Sequence, residues 1–222
     1  MTGMTAATWM AMMAAAATAT MAQETDRHGY PVLGEEEEVR LAMSAGPLHV
    51  SRDADVWVLG DRGFEKVIEG TNGHACLVVR AAVNRGQLAP HCLNPAAVDG
   101  VLPAFLAEGE LQMRGLAAEA IAERLDARWE SGDLPLPGEN AWATMLSSGQ
   151  KLGPNLGAFR PHFMLYQPYA TNEQIGGDPS APAFPFVGPY EDHPLSTVVV
   201  LMEEFVHPAD VDLPESWRTT RR

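Results

Sequence analysis

The sequence predicts an α+β protein with a mostly antiparallel sheet, and three observations support that class. Short segments rich in branched and aromatic residues alternate with turn residues, which predicts about five or six strands. One longer segment has an apolar stripe at helical spacing, which predicts one main helix. A chain of 222 residues, 46% of them hydrophobic, is long enough to bury a core as one domain. We therefore expect a single sheet covered by the main helix and by short helices.

Four segments divide the chain. Residues 1–22 are predicted to be a signal peptide, and residues 23–34 a flexible lead-in, because glycine and proline interrupt any period there. Residues 35–210 are predicted to form the α+β domain, and residues 211–222 a C-terminal tail. With 17 prolines and 20 glycines in the chain, we expect many turns and long loops.

The N-terminal segment has two interpretations. An uncharged run from Ala6 to Ala22 has the length of a signal-peptide core, and the small residue at its end suits cleavage. Residues 1–5 contain no Lys or Arg, so an alanine-rich helical or disordered tail is the alternative. We favour export, which predicts a secreted or periplasmic protein. No other run approaches the ~20 apolar residues of a membrane span, so we expect no membrane helix in the mature chain.

The charge of the chain excludes some partners. A formal net charge of -14 disfavours nucleic acid, because binding to phosphates needs a basic face. The same charge disfavours anionic membrane surfaces. Lys and Arg do not cluster except at the C-terminus, so we predict no nucleic-acid interface, and the sequence indicates no particular protein partner.

The first half of the domain is predicted to contain a helix and three strands. Residues 35–45 begin with four glutamates, which we interpret as a solvated helix start rather than a cation site, since the helix dipole favours acids there. Residues 56–59, 64–70 and 74–80 have strand patterns joined by tight turns, and Asn72-Gly73 is typical of such a turn. These three strands predict an N-terminal antiparallel meander.

The two cysteines are predicted to form a disulfide. Cys76 lies in the third predicted strand and Cys92 in a segment, residues 84–95, that we expect to be irregular. In an exported protein a bond between them would pin that segment to the sheet. A thiol or metal site that also uses His74 and His91 is the alternative. The spacing of the four residues does not match the usual ligand patterns, so we predict no metal and no other cofactor.

The second half is predicted to contain the main helix and the remaining strands. Residues 102–107 predict a short helix with proline in its first turn, broken near Gly109. Residues 116–130 predict the main helix, with an apolar stripe of Ala118, Ile121, Leu125 and Trp129. Strands are predicted at residues 141–147, 163–167 and 196–202, the last of them central in the sheet because it is apolar throughout.

The loop at residues 169–194 is rich in glycine, proline and aspartate. A loop of this length in a compact domain predicts either a functional lid or a disordered excursion.

Three short motifs carry a resemblance to known proteins. They are Glu69-Gly70-Thr71-Asn72-Gly73-x-x-Cys76-Leu77-Val78, Met145-Leu146-Ser147, and Pro161-His162-Phe163-Met164-Leu165-Tyr166. Together they resemble a group of uncharacterised bacterial proteins that carry signal peptides, over most of the mature chain. The resemblance implies export and a shared fold. It implies no activity, substrate or catalytic residue.

The best candidate site lies at Arg160 and His162. One residue separates them, so on an extended chain their side chains point the same way, and a guanidinium beside an imidazole can receive a carboxylate or phosphate. We therefore predict a non-enzymatic binding or structural domain of the cell envelope or periplasm for a small polar or anionic ligand. The alternatives without a ligand are that His162 is a core histidine hydrogen-bonded to backbone and that Arg160 pairs with an acid such as Glu139.

A hydrolase is the alternative function. His162 could act as the base for Ser147 or Ser148, with Asp192 at the end of the long loop as the orienting acid. The motifs of lipase-like hydrolases, common zinc proteases and nucleotide-binding enzymes are missing from the sequence. We assign no catalytic residue on this basis.

Overall fold

The computed structural model describes residues 24–153, 157, 159–215 and 217, and in this part of the chain one eight-stranded sheet is the framework. The strand order is β2-β1-β3-β4-β5-β6-β8-β7. The strands are β1 Asp55–Gly60, β2 Gly63–Ile68, β3 Ala75–Val79, β4 Ala89–Leu93, β5 Trp142–Met145, β6 His162–Tyr166, β7 Phe186–Val187 and β8 Thr197–Leu201. The α-helices are α1 Glu35–Met43, α2 Leu48–Ser51, α3 Pro95–Gly100, α4 Leu102–Met113, α5 Ala118–Glu130 and α6 Asn172–Ile175, and a 3-10 helix follows at Pro208–Asp210.

The mixture of helices with one mostly antiparallel sheet confirms the predicted class in outline. The sheet has eight strands in the described residues, more than the predicted five or six. Helix α5 matches the predicted main helix, and Ile121 and Leu125 of its stripe are buried. It does not cover the sheet alone, because α4 is nearly as long and packs beside it.

The predicted N-terminal meander is wrong. Strand β2 pairs antiparallel with β1, but β3 lies on the other side of β1 and runs parallel to it. The chain between β2 and β3 crosses the end of β1 at very close range. A Cβ atom on Gly70 would lie 2.3 Å from the carbonyl carbon of Ala54, so only glycine allows this crossing. The backbone there is held by the Asp55 carboxylate, which accepts a hydrogen bond from the Gly70 N–H.

The predicted irregular segment at residues 84–95 contains a fully buried strand, β4. The strand was not predicted because Pro90 lies in it, and proline weakens a strand pattern. The proline is tolerated because β4 pairs with β5 only at Cys92 and Leu93, so no ladder partner is needed on that side of Pro90. The prediction that the helix begun at Leu102 breaks near Gly109 is also wrong. The glycine lies inside α4, where a Cβ atom would be 2.7 Å from the Phe64 ring of β2.

The last predicted strand is β8, but it is not central. It lies second from the edge, between β6 and β7, and Val200 on its outer face is exposed. The predicted 169–194 loop contains the short helix α6 and strand β7, so part of it belongs to the sheet. The segment predicted as a C-terminal tail contributes Val211, Leu213 and Trp217 to a core cluster.

Alternating side chains give the sheet two different faces. The α1 face carries Val56, Cys76, Val78 and Cys92, which pack against helix α1. The cavity face carries Leu77, Val79, Leu93, Met145 and Met164, which belong to a second cluster together with residues of α3 and α4. A third cluster joins α4 to α5. In the described residues, helix α1 therefore packs on the first face, and a helical layer of α3, α4 and α5 packs on the second.

The cysteine pair lies on the α1 face. Cys76 and Cys92 are directly opposite each other in the β3–β4 ladder, with Cα atoms 4.1 Å apart and their sulfur atoms bonded. The predicted pairing is therefore confirmed at the level of distance, and it is compatible with an oxidising compartment. The predicted signal peptide, residues 1–22, lies outside the described residues. No helix within the described part of the chain has the length and apolar character needed to cross a membrane.

Candidate functional site

A cavity of about 540 Å³ lies between the cavity face and the helical layer. Strands β4, β5, β6 and β8 form its floor, α4 and α5 its roof, and residues 186–195 one side. Its volume falls in the range of about 300–1,000 Å³ that is usual for small-molecule sites. Most of the lining is aliphatic or aromatic, so the few polar side chains determine what it can recognise.

Two histidines stand on the floor. Cys92 pairs with Thr144 in antiparallel register, so the preceding residue His91 lies opposite Met145. Met145 in turn pairs with His162 on its other side. His91 and His162 therefore lie in one row across the sheet, with the Met145 side chain between them. Both histidines are buried, at 8% and 5% exposure. Each histidine ring packs against an aromatic ring: His91 makes an edge contact with Phe105, and His162 makes one with Phe159.

The hydrogen bonds of these histidines set their protonation. The His91 Nδ1 lies 2.8 Å from the carbonyl oxygen of Ala89, and the His162 Nδ1 lies 2.8 Å from that of Arg160. A carbonyl can only accept, so each Nδ1 carries the proton and each Nε2 keeps a lone pair. Burial lowers the pKa of His91 to about 4, helped by the nearby His162, and burial also lowers the pKa of His162. Both rings are therefore neutral at pH 7.

The Nε2 atoms of both histidines lack a hydrogen-bond partner among the described residues. No described residue forms a hydrogen bond with the Nε2 of His91 or His162, and neither atom is sealed from open space. Both residues line the cavity. The floor therefore presents two hydrogen-bond acceptors to whatever occupies the space above it.

An acidic side chain enters from the roof. Glu108 of α4 lines the cavity, and its Oε1 accepts hydrogen bonds from the Ala82 N–H at 3.0 Å and from the Gln112 amide at 3.2 Å. Burial raises the pKa of Glu108, an effect that these two hydrogen bonds oppose. The hydroxyl of Tyr190 is close enough for the Glu108 charge to raise the pKa of Tyr190 further, after burial as the main cause.

The side of the cavity near α5 is aromatic and polar. His193 packs edge-on against Trp129, with ring centroids 5.2 Å apart, and lies 5.5 Å from the ring of Tyr190. The His193 Nδ1 accepts a hydrogen bond from the Leu195 N–H, so its proton is on Nε2. Burial lowers the pKa of His193, and Asp126 on α5 opposes that shift. These residues come from the predicted 169–194 loop and from the main helix.

The structure separates the two predicted ligand-binding residues. His162 begins strand β6 and lines the cavity. Arg160 precedes the strand, is exposed, and does not line the cavity. The His162 side chain therefore belongs to the cavity wall and the Arg160 side chain does not.

The predicted catalytic candidates have other partners. The Ser147 hydroxyl is fully buried and 2.6 Å from the hydroxyl of Ser44, and the Ser148 hydroxyl is 2.6 Å from the Nδ1 of His207. Asp192 is exposed and does not line the cavity. Of the four candidates, only His162 reaches the cavity.

The alternative metal site at the cysteines is not assembled. Cys76 and Cys92 are bonded on the α1 face, whereas His91, next to Cys92 in sequence, points to the cavity. The His74 ring contacts Trp142 instead. Within the residues that the structure describes, no cluster of three or more His, Cys, Asp or Glu side chains could hold a metal ion.

Neither Glu108 nor the position of His91 in the cavity wall was predicted from the sequence. A usable signal existed for Glu108: it falls four residues after the buried Ala104 and three before the buried Leu111, on the apolar stripe of α4. An acid on such a stripe is unusual and indicates a polar interior space. For His91 no comparable signal existed, because all five residues from Ala89 to Leu93 are buried and Pro90 weakens the strand pattern.

Comparison of the chain with protein-family models, curated proteins and solved structures gave no significant match. The resemblance to exported uncharacterised bacterial proteins stays a prediction.

Proposed function

We propose that this protein binds a small, mainly apolar molecule that carries hydrogen-bond donors, in the cavity between the sheet and helices α4 and α5. The observation that carries the proposal is the pair of neutral histidines, His91 and His162, whose Nε2 atoms have no partner among the described residues and line a mainly apolar cavity. Acceptors left without partners in a low-dielectric space are costly unless a ligand or water satisfies them.

The lining also indicates which ligands are disfavoured. None of the described residues that line the cavity is Lys or Arg, and Glu108 is an acid. A carboxylate or phosphate would find no counter-charge there and would be repelled by the glutamate. An anionic ligand, which the Arg160 and His162 pattern predicted, therefore has less support than an apolar molecule with donor groups.

We further propose that the protein works outside the reducing cytoplasm, as a secreted or periplasmic protein. The bonded pair Cys76 and Cys92 supports this location, since disulfides persist in oxidising compartments. Fractionation of expressing cells, followed by mass spectrometry of the released chain, tests it: a cytosolic chain with free thiols would contradict the proposal.

Binding can be tested with a neutral fluorescent probe. N-phenyl-1-naphthylamine is apolar, has one N–H donor and brightens when it leaves water, so we expect saturable binding with one site per chain. The variant Ala122→Trp puts a large ring at the edge of the cavity, because Ala122 is exposed on α5 and lines it. We expect this variant to lose most of the binding.

The matched control is Ala127→Trp. Ala127 is exposed on the same helix but does not line the cavity, so this variant should bind the probe as the unmodified protein does. Thermal unfolding of both variants checks that the helix is intact. Absence of saturable binding, or equal loss in both variants, would contradict the proposed function.

A further inference from the structure

We infer that the polar end of the ligand is an amine cation and that the Glu108 carboxylate is its counter-ion. This inference deepens the proposed binding function and rests on it. It adds a charge to the ligand and a residue that selects for that charge.

The geometry of Glu108 leaves one oxygen for a ligand. Both described hydrogen bonds, from the Ala82 N–H and from Gln112, go to Oε1. The Oε2 atom receives none from the described residues and is not sealed from open space. The first two bonds fix the carboxylate in place, and the second oxygen is free to accept from a donor in the cavity.

None of the residues that the structure describes supplies a cation to this carboxylate. Among the described residues, no salt bridge includes Glu108. Arg80 is nearby in the chain fold, since its carbonyl accepts from Gln112, but its guanidinium is bound to Glu38. Arg85 donates to the carbonyl of His28 and lies over the ring of Tyr30.

Other features of the cavity also suit an ammonium group. The Nε2 atoms of His91 and His162 and the Oε2 of Glu108 are acceptors without a described partner, and an ammonium has only donors. The lining also includes an unpaired donor, the Nε1 of Trp129. The rings of Trp129 and Tyr190 line the same space and can face a cation. Asp126, exposed on α5 and lining the cavity, adds negative charge toward solvent.

Burial raises the pKa of Glu108, and the hydrogen bonds from Ala82 and Gln112 offset that shift only in part. A bound ammonium would supply the remaining compensation and favour the ionised carboxylate. This agrees with the inference drawn from the geometry.

The experiment compares three ligands that differ only in the head group. Decylamine, decanol and decanoate displace N-phenyl-1-naphthylamine from the protein at neutral pH, where the amine is protonated and the acid ionised. A charge-assisted hydrogen bond in a partly buried site corresponds to a gain of about tenfold or more over a neutral one. We therefore expect decylamine to bind about tenfold more tightly than decanol, and decanoate to bind least tightly.

The variant Glu108→Gln keeps an oxygen for the Ala82 N–H and removes the charge. With displacement referred to the probe affinity measured for this variant itself, we expect it to bind decylamine and decanol within about twofold of each other. Glu123→Gln is the matched control, because Glu123 is exposed on α5 and does not line the cavity. This variant should keep the preference for the amine, since an exposed charge is screened by salt.

The outcomes separate this inference from the proposed function. If the probe binds but decylamine has no advantage over decanol, or if Glu108→Gln keeps the advantage, the amine inference is overturned while the binding function stands. If the preference falls equally in the Glu123→Gln control, the net negative charge of the chain is its cause and the inference also fails. If the probe does not bind at all, the proposed function fails first.

Discussion

The two faces of the sheet use their polar groups in opposite ways. On the α1 face, the buried charged groups and the sulfur atoms are paired: Arg80 binds Glu38 through two hydrogen bonds of 2.9 and 2.8 Å, and Cys76 is bonded to Cys92. On the cavity face, the Nε2 atoms of His91 and His162 have no partner among the described residues.

This difference separates stability from function. A paired polar group in a core contributes to one packed arrangement, whereas an unpaired acceptor beside an open space costs free energy until something binds. Two residues adjacent in sequence can lie on different faces: Cys92 points to the α1 face and His91 to the cavity. Disturbing the α1 face should therefore reduce stability and leave binding intact, whereas substitutions on the cavity face should change binding.

The largest effect should come from breaking the buried ion pair. Arg80 and Glu38 have side chains only 1% and 4% exposed, so Arg80→Met would leave an uncompensated carboxylate in the core. We expect the free energy of unfolding to fall by about 3–5 kcal/mol, measured by urea denaturation. The double variant Glu38→Leu, Arg80→Met should lose less than the single one. A single variant within about 1 kcal/mol of the unmodified protein would show that the α1 face does not depend on this pair.

The disulfide should have the next largest effect. Cys76 and Cys92 are separated by 16 positions, and closing a loop of that size stabilises a protein by about 3 kcal/mol in the chain-entropy model. We expect the double variant Cys76→Ala, Cys92→Ala to lose about that amount in urea denaturation, and its folded fraction to keep the affinity for N-phenyl-1-naphthylamine. Reductant should destabilise the unmodified protein and have no effect on the variant. Loss of probe affinity in the folded variant would mean that the two faces are coupled.

The cavity face should be recognised by its pH dependence. The pKa of His91 is lowered in the folded state from 6.5 to about 4, so the unfolded chain binds more protons between these values and stability falls as the pH falls through that window. From pH 7 to pH 4 this costs about 2–3 kcal/mol. His162 has a lowered pKa and adds to the loss, while Glu108 has a raised pKa and opposes it.

The variant His91→Asn isolates this contribution. An asparagine amide can still donate to the Ala89 carbonyl but does not titrate, so the difference between the two stability profiles belongs to His91. Equal pH dependence in both proteins would indicate that His91 is not held neutral by burial.

The smallest effects are expected at the two serines. Ser147→Ala removes the hydrogen bonds of its hydroxyl with Ser44 and with the Gly149 N–H and should cost about 1–2 kcal/mol. Ser148→Ala, whose hydroxyl is partly exposed, should cost less. Neither variant should change probe binding, since neither serine lines the cavity. A serine-reactive phosphonate should label neither residue. Labelling of Ser147 or Ser148 that His162→Ala abolishes would instead favour the hydrolase.

Local sequence patterns predicted those helices and strands for which side-chain spacing and residue type indicate the same structure. The stripe from Ala118 to Trp129 predicted α5 because helical spacing and burial coincide there. Strand β4 escaped prediction because Pro90 weakens its pattern, and only the short pairing with β5 makes that proline acceptable. The parallel placement of β3 beside β1 depends on the crossing at Gly70, which is a contact between distant backbone segments.

The sequence by itself determined the mixed class of the fold, the main helix and the pairing of the two cysteines. These features depend on spacing and residue type within short windows, where side-chain period and chemistry are sufficient. Only the tertiary structure decided which face each strand residue points to, and thereby brought Glu108 from a helix over His91 and His162 from two strands. A cavity is the space left between packed elements, so its lining depends on the registers of several strands and on the position of a helical layer, which no local pattern contains.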